Sequence, residues 1–234
     1  MRRIWLVTGV LILSGLACSL PAALTAPTAT GGKVTAAPEA EVTAPAEEIP
    51  PEATATVTVM PSAEQAASWG EVSVRARDVL RALQSRDGAA LAAMVHPQKG
   101  LRFSPYATVR SENLVFQAEA VAGLWQDTTR YTWGAYDGSG LPIEATFAEY
   151  SRQFVYSDAF DQADVVSVNK AVGQGNSINN AAEFYPGAVV VEFYLRGKDP
   201  KYQGMDWKSL RMVFEQTEDG QWYLVGLIHD QWTI

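Results

Sequence analysis

The chain has a single cysteine and only two histidines among its 234 residues. One thiol cannot close an internal disulfide. Zinc takes three or four Cys, His or carboxylate ligands, and Cys18, His96 and His229 are the only thiol and imidazole groups here, so no metal centre is expected. Positive charge is also scarce: 18 basic against 26 acidic side chains give a formal net charge of −8. A chain so poor in cations offers no phosphate-seeking stripe, and nucleic acid is not an expected partner. Residues 19–67 contain no aromatic side chain at all. No G-x-S-x-G marks a nucleophile. "GQGNSI", from Gly173, lacks the third glycine of a dinucleotide loop and the lysine of a P-loop, and reads as a flexible connection between strands. No cofactor is implied. The longest apolar run, Ile4–Leu13, falls short of the roughly 20 residues a membrane-spanning helix needs.

That run has a different use. "MRRIWLVTGVLILSGLAC" places two arginines, an apolar segment and then small residues in the order of a secretory signal ending at residue 18. "SGLAC" resembles the lipobox of bacterial lipoproteins, with Gly15 where that family usually has leucine. The resemblance implies that Cys18 carries lipid and anchors the chain to a membrane on the extracytoplasmic side of the cell envelope. The alternative is ordinary cleavage after Ala17 or at a later site, giving a secreted protein.

Residues 19–67 are rich in Ala, Pro, Thr and Glu, a composition that cannot bury enough apolar surface to offset its ordering entropy. They are expected to form a disordered tether reaching on the order of 40 Å. A single globular domain is expected over residues 68–234. In "EVSVRARDVLRALQSRDGAALAAMVHP", Val72, Val79, Leu80 and Leu83 recur at near-helical spacing, and Asp87 can cap a second short helix. "NLVFQAEAVAGLWQD" reads as a strand entering a helix, "RYTWGAY" as a strand ended by the turn "DGSG", and Thr146 as the cap of "FAEYSRQFVY". After Asp164 four strands follow. "VVVEFYLR" alternates between an apolar side and a mixed side holding Glu192.

The closing hairpin fixes more. With "EDG" as a three-residue loop and Gly220 left-handed, Thr217 pairs with Gln221. Carried along both strands, this register puts Arg211 by Leu227 and Ser209 by His229 on the mixed face, with Asp230 pointing away. The expected fold class is therefore α+β: N-terminal helices packed on a curved, mainly antiparallel sheet, after the tether.

The helix, the short "DGAALAAMVHP" helix and a sheet ending in "WYLVGLIHD" resemble the nuclear-transport-factor-like cone of ketosteroid isomerase and its relatives, over about residues 70–234. More narrowly, "YTWGAYDGSGLPI", "GMDWKSLR" and "WYLVGLIHDQWTI" resemble bacterial lipoproteins of unknown function. The cone resemblance implies a dry pocket in which a carboxylate (Asp137, Glu192 or Asp230) could face a tyrosine (Tyr106, Tyr131, Tyr136 or Tyr194). Two groupings carry the binding expectation. His229, Arg211 and Glu192 could meet on the mixed face. Trp133, Tyr136 and Asp137 could line a pocket mouth that grips a sugar or small amphiphile. Asp158, Asp161 and Asp164 lack the alternation of a calcium loop and read as a solvated helix end. Three functions stay open: an anchored domain binding a small ligand or envelope component, a protein-protein interaction module of an envelope assembly, and a cone-fold enzyme with a carboxylate base.

Overall fold

The computed structural model describes residues 62–233; the expected signal segment with Cys18, and residues 19–61 of the expected tether, lie outside them. The first element is helix α1, Ala63–Ser85, started by a capping box in which Ser62 accepts from the Gln65 amide and the Gln65 side chain accepts from the Ser62 amide. The expected domain boundary at 68 falls inside this helix. Residues 63–67 match the tether in composition, but a serine cap three residues before a glutamine starts the helix there. Val72, Ala76, Val79, Leu80 and Leu83 form its buried stripe.

Asp87 caps α2, Gly88–Ala92, accepting from the Ala90 amide at 2.9 Å. Strand β1, Leu101–Ser104, has no counterpart among the elements expected from the sequence, because four residues between Gly100 and Pro105 are too few to show a pattern. β2, Val115–Phe116, leads into α3, Ala118–Gly123. β3, Tyr131–Ala135, turns back as β4, Pro142–Ala145, to make a separate two-stranded sheet. Thr146 and Glu149 close a capping box on α4, Phe147–Phe154. Then come β5, Val165–Val168, the single turn α5, Ala181–Phe184, and the long strands β6, Val189–Leu195, β7, Lys208–Gln216, and β8, Trp222–Gln231.

The main sheet runs β2-β1-β8-β7-β6-β5 and does not close. Its pairs are antiparallel except β1 with β8. On its first face Val191, Phe193, Leu210, Met212, Phe214, Leu224 and Leu227 join the helical stripe of α1 in one core cluster with Phe103, Trp133, Phe147 and Tyr150. The architecture is thus α+β with helices on a mainly antiparallel sheet, as expected. The second face is covered as well. Val213, Val225 and Ile228 pack there beneath Val109, Ala181 and Tyr185, which belong to the 105–113 loop and to the 169–188 arch joining β5 to β6. The expected mixed face is buried because this arch, read as a loose connection, lies on it.

Candidate functional site

The closing hairpin decides where the charged side chains go. The Thr217 amide donates to Gln221 O at 2.9 Å and Gly220 has φ +83°, as expected for the three-residue loop. Glu215 faces Tyr223 and Phe214 faces Leu224, also as expected. Then β8 carries one extra residue: Val213 faces Gly226, Arg211 faces Ile228, Leu210 faces His229 and Ser209 faces Asp230. Side chains alternate between faces with period two, so a one-residue bulge exchanges every later side chain. His229 and Asp230 are therefore interchanged relative to the expected register. His229 lies on the first face with its ring 5.8 Å from that of Phe154. Asp230 lies on the second face with Arg211 and Glu192.

There the two carboxylates flank one guanidinium. Arg211 Nη1 donates to Asp230 Oδ2 at 2.8 Å, and Nη2 donates to Glu192 Oε1 at 3.0 Å and to Gly173 O at 2.8 Å. Glu192 also accepts from Ser209 Oγ, from the Val172 amide at 2.6 Å and from the Gly173 amide at 3.1 Å. The three charged residues are 1%, 1% and 2% exposed for Glu192, Arg211 and Asp230. Such a cluster is kept only by mutual compensation, and here compensation is uneven. Glu192 has four donors; Asp230 has Arg211 alone, and its Oδ1 is buried without a partner, as is Arg211 Nε. Burial pushes the Asp230 carboxyl up to about 6, opposed by Arg211 and reinforced by Glu192. His229 goes the other way: burial pulls it down to about 4, despite its Nε2 contact with Gln231 Oε1 at 3.1 Å.

The cluster also pins the arch. Beyond the two amides held by Glu192, the indole of Trp207 presses on Gly173 so closely that a Cβ there would come within 2.5 Å of the ring. Between the limbs of the arch opens a cleft of about 350 Å³, its floor made by Val190, Glu192 and Arg211.

The second expected grouping separates. Trp133 is 1% exposed, stacks on Tyr150 with ring centroids 4.0 Å apart, and donates from Nε1 to Ala145 O at 2.9 Å. It belongs to the core and lines no pocket mouth, because strand alternation turns it inward while Tyr136 follows β3 into the turn. Tyr136 and Asp137 do line an open groove of about 760 Å³ with Tyr106, Arg110, Asn113 and Ser177. Asp137 ties three segments together: its Oδ2 accepts from Ser177 Oγ at 2.9 Å and from Thr233 Oγ1 at 3.1 Å. Exposed apolar side chains belong to these same segments: Tyr136 and Leu141 of the β3–β4 hairpin, Ile178 of the arch, and Trp232.

The six expected binding residues thus fall in four places: Tyr136 and Asp137 on the groove, Glu192 and Arg211 under the arch, His229 on the first face, Trp133 in the core. Asp230, Ser177, Thr233 and Trp207 complete these places and were not assigned to them from the sequence. Gly226 inside an otherwise apolar strand is the one signal of the bulge the sequence carried. His96 is spent locally, its Nδ1 accepting from the Gln98 and Lys99 amides at 3.2 and 3.1 Å. Asp158 pairs with Lys208 at 3.2 Å and Asp164 accepts from the Arg196 amide at 2.8 Å. Among the described residues no three metal-ligating side chains converge, and no helix is long and apolar enough to cross a membrane. No protein-family model matches the chain, and no curated protein matches it.

Proposed function

We propose that this chain is a lipid-anchored, extracytoplasmic binding domain of the cell envelope that holds an envelope partner on its outer surface. The observation that carries the reading is where its aromatic residues stand. Trp133, Tyr150, Phe103, Phe147 and Phe154 fill the space between the sheet's first face and the helices, which is where a cone-like fold would enclose a small molecule. What faces solvent is the groove of Tyr136 and Asp137, with Tyr136 36%, Leu141 64%, Ile178 76% and Trp232 41% exposed on the segments that Asp137 joins. Tyr136 lines the groove, and Leu141, Ile178 and Trp232 stand next in sequence to Gly140, Ser177 and Thr233, which line it or bond to Asp137; apolar side chains beside polar ones in this way suit an interaction surface.

Binding is favoured over general-base catalysis by the arrangement of the buried groups. A carboxylate base must face its tyrosine across a dry pocket. Glu192 and Asp230 are buried on the same face as Tyr185, but Glu192 already accepts from four donors and Asp230 is held by Arg211, so neither carboxylate stands free as a base. Asp137 and Tyr106 do share a groove, but one open to water.

The test is site-specific photocrosslinking in the cells that make the protein, with a photoreactive residue at Ile178 and, as control, at Val74 on α1, which is 56% exposed. A discrete crosslinked product from Ile178 and none from Val74 is expected. Equal products from both sites, or none from Ile178, would reject the groove as the working surface.

A further inference from the structure

Strand β5 forms one edge of the main sheet and pairs there with β6 alone. From that edge we infer that the domain pairs with a second copy of itself, β5 against β5 in antiparallel, so that two six-stranded sheets continue as one.

The backbone shows which groups are on offer. The Asn169 amide donates to Val190 O at 2.8 Å, so Asn169 turns its amide towards β6. Hydrogen bonding alternates along an antiparallel strand. Val165 and Ser167 therefore also bond to β6, while the N–H and C=O groups of Val166 and Val168 point outward. No backbone group among the described residues meets them, and Val166 is 46% exposed. Such a row of unpaired groups is a template for another strand unless proline, lysine or a bulge blocks it. "VVSV" holds no proline or lysine, and its register with β6 runs unbroken from Val165 opposite Tyr194 to Val168 opposite Val191. The sheet's other edge, β2, is only two residues long.

What the strand carries selects its own copy and one register. Its ends are oppositely charged: Asp164 stands just before the strand and Lys170 just after it, both exposed. Two antiparallel copies bring the acid of each to the lysine of the other, whereas parallel copies set like charge on like. The register centred on Ser167 matches both ends at once. It also sets Val166 opposite the partner's Val168, twice, and each such pair exchanges two main-chain bonds because both residues point outward. These valines share the first face of the sheet, where Val168 already packs on the core. The pairing therefore covers the exposed Val166 with a β-branched neighbour. Ser167 meets itself on the twofold axis, as a self-complementary interface requires.

Disulfide trapping in the full chain, by mild oxidation of the cells that make it, tests this. Ser167→Cys should give a linked product of twice the chain's mass, since a non-hydrogen-bonded pair holds its Cα atoms about 4.5 Å apart, within reach of a disulfide. Val165→Cys should not, because its two copies lie about 13 Å apart along the strands in this register. The wild-type chain, with Cys18 as its only thiol, gives the background. Adding Val166→Lys to Ser167→Cys charges the exposed edge without touching the core, so it should keep the melting temperature of Ser167→Cys and lose the product. No dimeric product, equal product from Val165→Cys, or product that survives Val166→Lys would overturn the pairing. A linked product of any other mass would put a different protein on the edge and overturn it as well. Linkage stronger through Val166→Cys than through Ser167→Cys would overturn the register.

Discussion

Replacing Arg211 by methionine keeps the volume of the side chain and removes the only cation between two buried carboxylates. Breaking a buried pair by deleting one partner costs about 3–5 kcal/mol, because an uncompensated charge stays behind. Here the residual charge falls mainly on Asp230, whose single hydrogen-bond partner is Arg211; Glu192 would keep Ser209 and two backbone amides. A domain of this size has about 5–15 kcal/mol in all, and each kcal/mol moves its melting temperature by about 2–4 °C. The variant should therefore melt about 6–20 °C lower at pH 7.5. Acid should repair it. The Asp230 carboxyl, already up at about 6 beside the arginine, rises further without it. A group whose folded pKa lies above its unfolded one contributes stability below the unfolded value and loses it as pH rises through the folded value. Urea titrations followed by tryptophan fluorescence at pH 7.5 and pH 5 should thus show a deficit that shrinks at pH 5. Adding Asp230→Asn should recover part of it at pH 7.5. A deficit below about 1 kcal/mol, or one equal at both pH values, would refute the account of the cluster as a charge-compensated unit.

Gly220→Val places a β-branched side chain at φ +83° and should cost about 1 kcal/mol or more in chemical denaturation; no loss would mean the loop relaxes elsewhere. His229 and Asp230 should oppose one another in acid. Stability from neutral His229 is present above 6.5 and lost as pH falls through about 4, whereas that from protonated Asp230 is lost as pH rises through about 6. His229→Phe removes the first effect alone, so its stability relative to wild type should improve by about 2–3 kcal/mol between pH 7.5 and pH 4; a difference independent of pH would place the histidine in contact with water. Trp133→Ala should cost about 3–5 kcal/mol as a core truncation, whereas Tyr136→Ala should stay within about 0.5 kcal/mol of wild type and suppress the Ile178 crosslink. Calorimetry of both variants separates a core tryptophan from a surface tyrosine.

What could be read from the sequence was whatever local rules determine. The Asp87 and Thr146 caps, the left-handed Gly220 and the alternation of "VVVEFYLR" each depend on a few neighbouring residues, and each element appears where its rule puts it. The helix start at Ala63 escaped because alanine and glutamine serve a tether and a helix equally well. The bulge escaped for a different reason. Val225 and Gly226 share the second face only because Tyr185 and Val213 leave room for a residue without a side chain, a fact set by the arch some forty residues away. That one residue decided whether His229 or Asp230 joins Arg211. The burial of Glu192 was equally distant in origin: its partners include the amides of Val172 and Gly173, where the expected strand "DVVSVNKAV", which stops at Val168, gives way to a stretch read as a flexible connection.

The strand formed by residues 222–231 lies inside the sheet, bonded to β1 on one side and β7 on the other. Until it emerges from the ribosome, β2-β1 and β5-β6-β7 are two separate ribbons with unpaired edges, and the aromatic cluster around Phe103 has no sheet to close it. Folding of this domain is therefore dominated by pairings distant in sequence, such as Ser104 with Ile228, which makes it slow among domains of its length. A chain released early would expose both ribbon edges together and be prone to aggregation. Strand β8 is thus the seam of the domain: its pairing turns two ribbons into one sheet.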